Sequence, residues 1–84
     1  MDKLRVDLHH YRQEEAYEHL LDKIDYALDN NIYLIEVVHG FNRGNVLKQM
    51  VENLSSNDHP YILRIRKALN NSGTTYIELK MDIY

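Results

Sequence analysis

Cysteine and tryptophan are absent from this 84-residue chain, proline and phenylalanine occur once each, and glycine occurs three times. Without cysteine there is no disulfide, no thiolate metal site and no cysteine nucleophile. No apolar run approaches the roughly 18 residues of a membrane span. The opening Met1-Asp2-Lys3-Leu4-Arg5 has no apolar signal-peptide core. The cytoplasm is therefore the expected compartment, and no membrane partner is expected. Positive charge is also short: ten Lys and Arg stand against thirteen Asp and Glu, for a net −3. That argues against tight, generic duplex binding by phosphate neutralisation. The charges are sorted along the chain. Acids crowd into Glu14, Glu15, Glu18, Asp22, Asp25 and Asp29, whereas Arg43, Lys48, Arg64, Arg66, Lys67 and Lys80 come later.

An apolar fraction of 44% is that of a globular protein. The length suits one domain, 1–84, with a modest core. Whether these residues form a whole protein or a piece of a larger one is left open. There is no linker, repeat or low-complexity segment. Leu4, Val6 and Leu8 alternate with Arg5, Asp7 and His9, the pattern of a half-buried strand. From Gln13 to about Asn30, residues 17, 20, 21, 24 and 28 are apolar at helical spacing. Asn30-Asn31 can close that helix with a left-handed cap. Ile32–Val38 reads as an inner strand, and Val46, Leu47, Met50, Val51 and Leu54 as one face of a second helix. Ser55–Pro60 is a loop by composition. Tyr61, Leu63 and Ile65 alternate as a third strand, and Thr74–Met81 as a fourth, with Ile77 and Leu79 facing in. The order is β-α-β-α-β-β. Two crossovers of the same hand put both helices on one face. The expected architecture is α/β, an α+β two-layer sandwich with a mixed four-stranded sheet and one open face. Arg5, Asp7, Glu36, Arg64, Arg66, Tyr76, Glu78 and Lys80 are expected on that face.

Two short segments carry the chemistry. Arg5–His10 is a strand ending on titratable groups, and Val37–Gly44 is a strand, a glycine turn and a helix start. If the two strands are parallel neighbours, His9 and His39 emerge at one edge. Open α/β sheets bind ligands at such an edge. The candidate site is Asp7, His9, His39 and the Gly40–Gly44 loop. The plain structural readings are also live. Asp7 can bond the amides of the neighbouring turn. Gly40 and Gly44 can serve turning alone. His19 and His59 read as solvated.

The segments Val6-Asp7-Leu8-His9-His10, His39-Gly40-Phe41-Asn42-Arg43-Gly44 and Gly73-Thr74-Thr75-Tyr76-Ile77-Glu78-Leu79 resemble the motifs of the small MutS-related (Smr) domain, L-D-L-H-G, H-G-x-G-x-G and G-x-T-x-V-x-L. The resemblance runs in order over residues 4–80. It implies a fold like the C-terminal domain of translation initiation factor three, with sheet order 1-2-4-3 and the last strand antiparallel. It implies nucleic acid as partner, RNA or DNA. It also implies a fused or associated MutS-like ATPase, a link to the ribosome, or roles in DNA repair or ribosome quality control. The functional residues implied are Asp7, His9 and His39. Three departures stand out: His10 for the first motif's Gly, Asn42 for a loop Gly, and Asn71-Ser72-Gly73 for a more Gly-rich turn.

On RNA, one imidazole can take the 2′-hydroxyl proton while another protonates the leaving 5′-oxygen, with no metal. Asp7 would orient an imidazole. Amides of the Gly40–Gly44 loop and the Arg43 guanidinium would hold phosphate. Tyr11 and Phe41 could stack on unpaired bases, with His10, Gly40, Asn42 and Gly44 completing the contact surface. On DNA, a divalent metal on Asp7 with His9 or His39 is the more natural device. Three functions follow: an endonuclease that nicks DNA or cleaves RNA, a non-catalytic nucleic-acid or ribosome-binding adaptor, or a protein-interaction module. The last would use Leu34, Val38, Ile62 and Tyr76 on the open face.

Overall fold

A computed structural model describes residues 2–40 and 45–81. Leu4–Asp7 forms β1, Gln13–Asp29 α1, Leu34–Val38 β2, Val46–Glu52 α2, Ile62–Lys67 β3 and Thr74–Leu79 β4. The sheet order is β1-β2-β4-β3. β1 and β2 are parallel, with Leu4 opposite Ile35 and Asp7 opposite Val38. β4 runs antiparallel to both β2 and β3. Both helices lie on one face, so the α+β sandwich, the strand order and the antiparallel last strand are as expected. Among the described residues no helix is long and apolar enough to cross a membrane.

Helix α1 starts where Glu15 accepts the Arg12 amide at 3.2 Å. It buries Ala16, Leu20, Ile24 and Ala27, successive positions on one face. Its end is a Schellman motif. Asn31 takes a φ of 58°, and the amides of Ile32 and Asn31 return to the carbonyls of Ala27 (2.8 Å) and Leu28 (3.1 Å). Leu8, Leu20, Ile24, Ile35, Val37, Val51 and Ile77 have no exposed surface and form the centre of the core.

Three expectations need correction. The third strand does not alternate regularly. Ile62 pairs with Leu79 and Arg64 with Glu78, so two steps on β3 match one on β4. Leu63 is the extra residue of a β-bulge. It is 48% exposed, whereas Ile62 is buried. Ile62 therefore belongs to the core and not to an open-face patch. Second, α2 is seven residues long and its first residue, Val46, is exposed. Third, His19 and His59 are not simply solvated. His19 stacks on Tyr11 with ring centroids 4.8 Å apart. His59 accepts the Tyr61 amide at Nδ1 (3.1 Å) and meets Asp25 Oδ1 through Nε2 (2.8 Å). The Tyr17 hydroxyl donates to Asp58 Oδ1 at 2.9 Å, which pushes the phenol's pKa up. Together the Asp25 and Tyr17 bonds clip the 55–60 loop onto α1.

The bulge sets a direct test. Ile62→Ala should cost about 2–4 kcal/mol, as truncation of a buried aliphatic does. Leu63→Ala should stay within about 0.5 kcal/mol. Urea unfolding followed by circular dichroism reads both, and a regular alternation would reverse the order.

Candidate functional site

Asp7 closes β1, and the chain then turns tightly, with the Tyr11 amide donating to the Leu8 carbonyl at 3.0 Å. Within that turn Asp7 Oδ1 accepts two bonds from one residue, the His9 backbone amide at 3.1 Å and the His9 ring nitrogen Nδ1. A carboxylate only accepts, so Nδ1 carries the proton. This ring contact is the main cause holding the Asp7 carboxyl below its ordinary pKa, against the opposing pull of partial burial. Asp7 is thus a carboxylate at neutral pH. His9 Nε2 has no partner among the described residues, and the side chain is 45% exposed.

His39 follows β2 directly and is buried, at 4% exposure. Its Nδ1 donates to the Gly40 carbonyl at 3.0 Å, and Nε2 meets the Thr75 hydroxyl at 2.8 Å. The amides of His39 and Gly40 both donate to the Gly73 carbonyl, at 2.9 and 3.1 Å. His39 therefore ties the end of β2 to the start of β4. Gly40 has a φ of +73°, and a Cβ there would lie 3.5 Å from the His9 Cβ. Space is adequate at that contact. The left-handed backbone is what favours glycine.

The two histidine segments do meet at one sheet edge. They differ in what their rings have left to offer. Among the described residues His9 presents a nitrogen without a partner, while both nitrogens of His39 are engaged. His10 is exposed, with its ring centroid 3.6 Å from that of His9. Tyr11 is 38% exposed beside it. Phe41, Asn42, Arg43 and Gly44 lie outside the described residues. Thr75 and Gly73 were not anticipated as partners here. The one sequence signal was a threonine at an inward position of the fourth strand. A groove of about 550 Å³ is lined by Gln13, Glu14, Tyr17 and Glu18 of α1 and Met50 of α2.

The donor set does not favour a resident metal. Asp7 and His9 are bonded to each other, and His39 is engaged at both nitrogens. Among the described residues no three side chains of metal-binding type come together.

Comparison with known proteins agrees with this fold. The Smr domain family model matches residues 6–80, and the chain belongs to that family. It is 39% identical over 57 residues to "Endonuclease MutS2" of Streptococcus sanguinis, covering 68% of this chain and 7% of that protein. It is 31% identical over 78 residues to "Endonuclease MutS2" of Streptococcus agalactiae, covering 92% of this chain and 10% of that protein. The chain thus spans a tenth or less of the curated relatives it matches. The crystal structure of the Smr domain of Thermus thermophilus MutS2 superposes with a TM-score of 0.82, at 17% identity, over 93% of this chain and 99% of that one. YdaL, a stand-alone small MutS-related protein from Escherichia coli, superposes with a TM-score of 0.81, at 19% identity, over 95% and 69%.

Changes at the exposed His9 ring and at the partner of the buried His39 ring should have unequal consequences. His9→Ala should leave stability within about 0.5 kcal/mol, as for a surface change. Thr75→Val strands a buried imidazole nitrogen and should cost about 1–3 kcal/mol. Thermal unfolding distinguishes them, and equal effects would contradict the geometry.

Acid sensitivity gives a second test. A carboxyl whose pKa is lowered on folding stabilises the fold above its unfolded pKa, about 3.9. That contribution is lost as pH falls through the lowered folded value. Asp7→Asn should therefore flatten the acid limb of the stability curve below about pH 4, measured by urea unfolding at stepped pH. An unchanged acid limb would show that the pairing contributes nothing.

Proposed function

We propose that this Smr domain binds nucleic acid at the edge formed by residues 7–11 and 39–40 and cleaves RNA there. The observation that carries the reading is the Asp7–His9 pair, a carboxylate-oriented imidazole with one nitrogen open to solvent at the end of a parallel strand pair. In this mechanism His9 Nε2 takes the proton of a ribose 2′-hydroxyl as that oxygen attacks the adjacent phosphorus. The bond from phosphorus to the 5′-oxygen breaks, and the leaving oxygen takes a proton. The products are a 2′,3′-cyclic phosphate and a 5′-hydroxyl. The His10 ring, 3.6 Å centroid to centroid from that of His9, is too near it to stand on the far side of the phosphorus, so water supplies that second proton. His39 and Gly40 serve as the frame that holds His9 in place. No step needs a metal. RNA is preferred over DNA because DNA lacks the 2′-hydroxyl that this pair would deprotonate.

A second reading, the non-catalytic adaptor, has its own observation. Asp7 Oδ1 also accepts the His9 backbone amide, which by itself makes the residue a turn clamp. The protein-docking alternative loses one of its four residues, because Ile62 lies in the core.

Cleavage of a labelled single-stranded RNA in the presence of EDTA separates the readings. His9→Ala should lower the rate at least about 100-fold, the scale of a lost general base. It should do so with little change in RNA binding. Asp7→Asn should lower it less. Wild-type protein that binds RNA and leaves it intact would establish the adaptor.

A further inference from the structure

The open sheet face has an ordered charge arrangement that the edge site does not use. Its two central strands carry Glu36 on β2 and, on β4, Tyr76 and Glu78. Arg5 on β1 stands opposite Glu36, Arg66 on β3 opposite Tyr76, and Arg64 opposite Glu78. Lys3 binds Glu36 at 2.8 Å, while Arg64 and Arg66 bind Glu78 at 3.0 and 2.7 Å. The acids lie low, at 18% and 20% side-chain exposure. The cations stand above them, at 51% for Lys3, 62% for Arg64 and 65% for Arg66. An approaching molecule therefore meets cations first. Between the two rows lies the part-buried Tyr76 ring, with Lys3 Nζ 5.9 Å from its centroid. The acids of α1 (Glu14, Glu15, Glu18, Asp22, Asp25 and Asp29) are all exposed on the other layer.

We propose that this face is a track for single-stranded nucleic acid. Tyr76 is its base-stacking platform, Lys3, Arg5, Arg64 and Arg66 are its phosphate contacts, and Asp7–His9 lies at its end. The proposal rests on the reading of the edge as a nucleic-acid site and extends it to where the strand runs before reaching that edge. Aromatic rings on an open sheet between rows of cations suit unpaired bases, because every base has a face to stack. A duplex would offer Tyr76 no such face. Continuity is built along β1, where Arg5 and Asp7, with Lys3 just before the strand, share this side and lead to His9. An acidic or apolar protein partner would gain less. The cations suit an acidic surface, but among the described residues the apolar side chains flanking Tyr76 on this face are the part-buried Leu34 and Val38.

The test is fluorescence anisotropy of a 5′-fluorescein 12-nucleotide 2′-O-methyl oligouridine, which lacks the 2′-hydroxyl the edge would attack, with the 84-residue chain at low salt. Circular dichroism confirms folding of each variant. Tyr76→Ala should raise Kd about tenfold, within the range for loss of one stacked base, and Tyr76→Phe should restore binding. Lys3→Ala with Arg66→Ala should flatten the plot of log Kd against log salt by about 1.4, at roughly 0.7 per lost single-strand phosphate contact. Oligouridine binding that is unchanged in all three variants would overturn the track and leave the edge reading intact. That outcome would turn attention to a protein on this face. No binding by the wild-type chain would overturn both.

Discussion

The parallel pairing of β1 with β2 is the constraint on which the site depends. It puts the carboxyl ends of both strands at one edge, and the ladder continues past Asp7 as the Leu8 amide donates to the Val38 carbonyl at 2.7 Å. Among the described residues β1 is an edge strand of four residues with one neighbour. Its hold comes from Val6 and Leu8, which are sunk in the core on alternate positions. A slip of one residue would turn both outward and bring Asp7 inward. The same alternation that buries Val6 and Leu8 thus keeps Asp7 on the open side. Beyond the strand, Gly40 lies against His9 at a backbone angle few other residues tolerate. Site geometry is therefore a by-product of core packing plus one left-handed glycine.

The histidines show how partner count decides a role. His39 and His59 each have one ring nitrogen donating and the other accepting, and each ties distant segments together. An imidazole in that state is a cross-link of the fold. His9 has one nitrogen fixed by Asp7 and, among the described residues, no partner for the other, so its orientation is set while that nitrogen is left for a ligand. This division also explains why two histidines at one sheet edge need not form an acid–base couple. His39 holds the frame, and the exposed ring beside His9 is the adjacent His10.

Much of this was legible in the sequence. Period-two alternation placed β1 and β4, helical spacing placed α1, and Asn30-Asn31 marked its end. Those signals are local, and a few adjacent residues carry each of them. The Asp7–His9 pairing was also local, since residues two apart on one strand share a side. The bulge at Leu63 was not legible, because one inserted residue leaves composition intact and only shifts the phase. Nor were the partners of His39 and His59. His39 meets Thr75 across 36 residues and His59 meets Asp25 across 34. Such bonds follow from strand order and loop placement, which pattern alone does not supply. Ala16 and Ala27 were passed over because small residues read weakly in a hydrophobic pattern, yet both are buried on α1.

Net charge was the sequence property that pointed most firmly away from nucleic acid, and the fold changes what it means. A total of −3 describes the molecule seen from far away. A strand lying on the open sheet face is close to Lys3, Arg5, Arg64 and Arg66, and the exposed acids of α1 lie across the molecule. Even along its shortest axis the domain measures 19 Å. That is more than two screening lengths at physiological ionic strength, about 8 Å each. The acids behind the sheet are thus largely screened from a polyanion on this face, while the nearby cations, only partly offset by Glu36 and Glu78, act at close range. At low ionic strength the screening length grows to about 30 Å and the acids are felt again. They then repel a misoriented polyanion more strongly from the helix layer than from the sheet. The sorting of charge into layers sets the direction of approach, and the sum of charges limits only the strength.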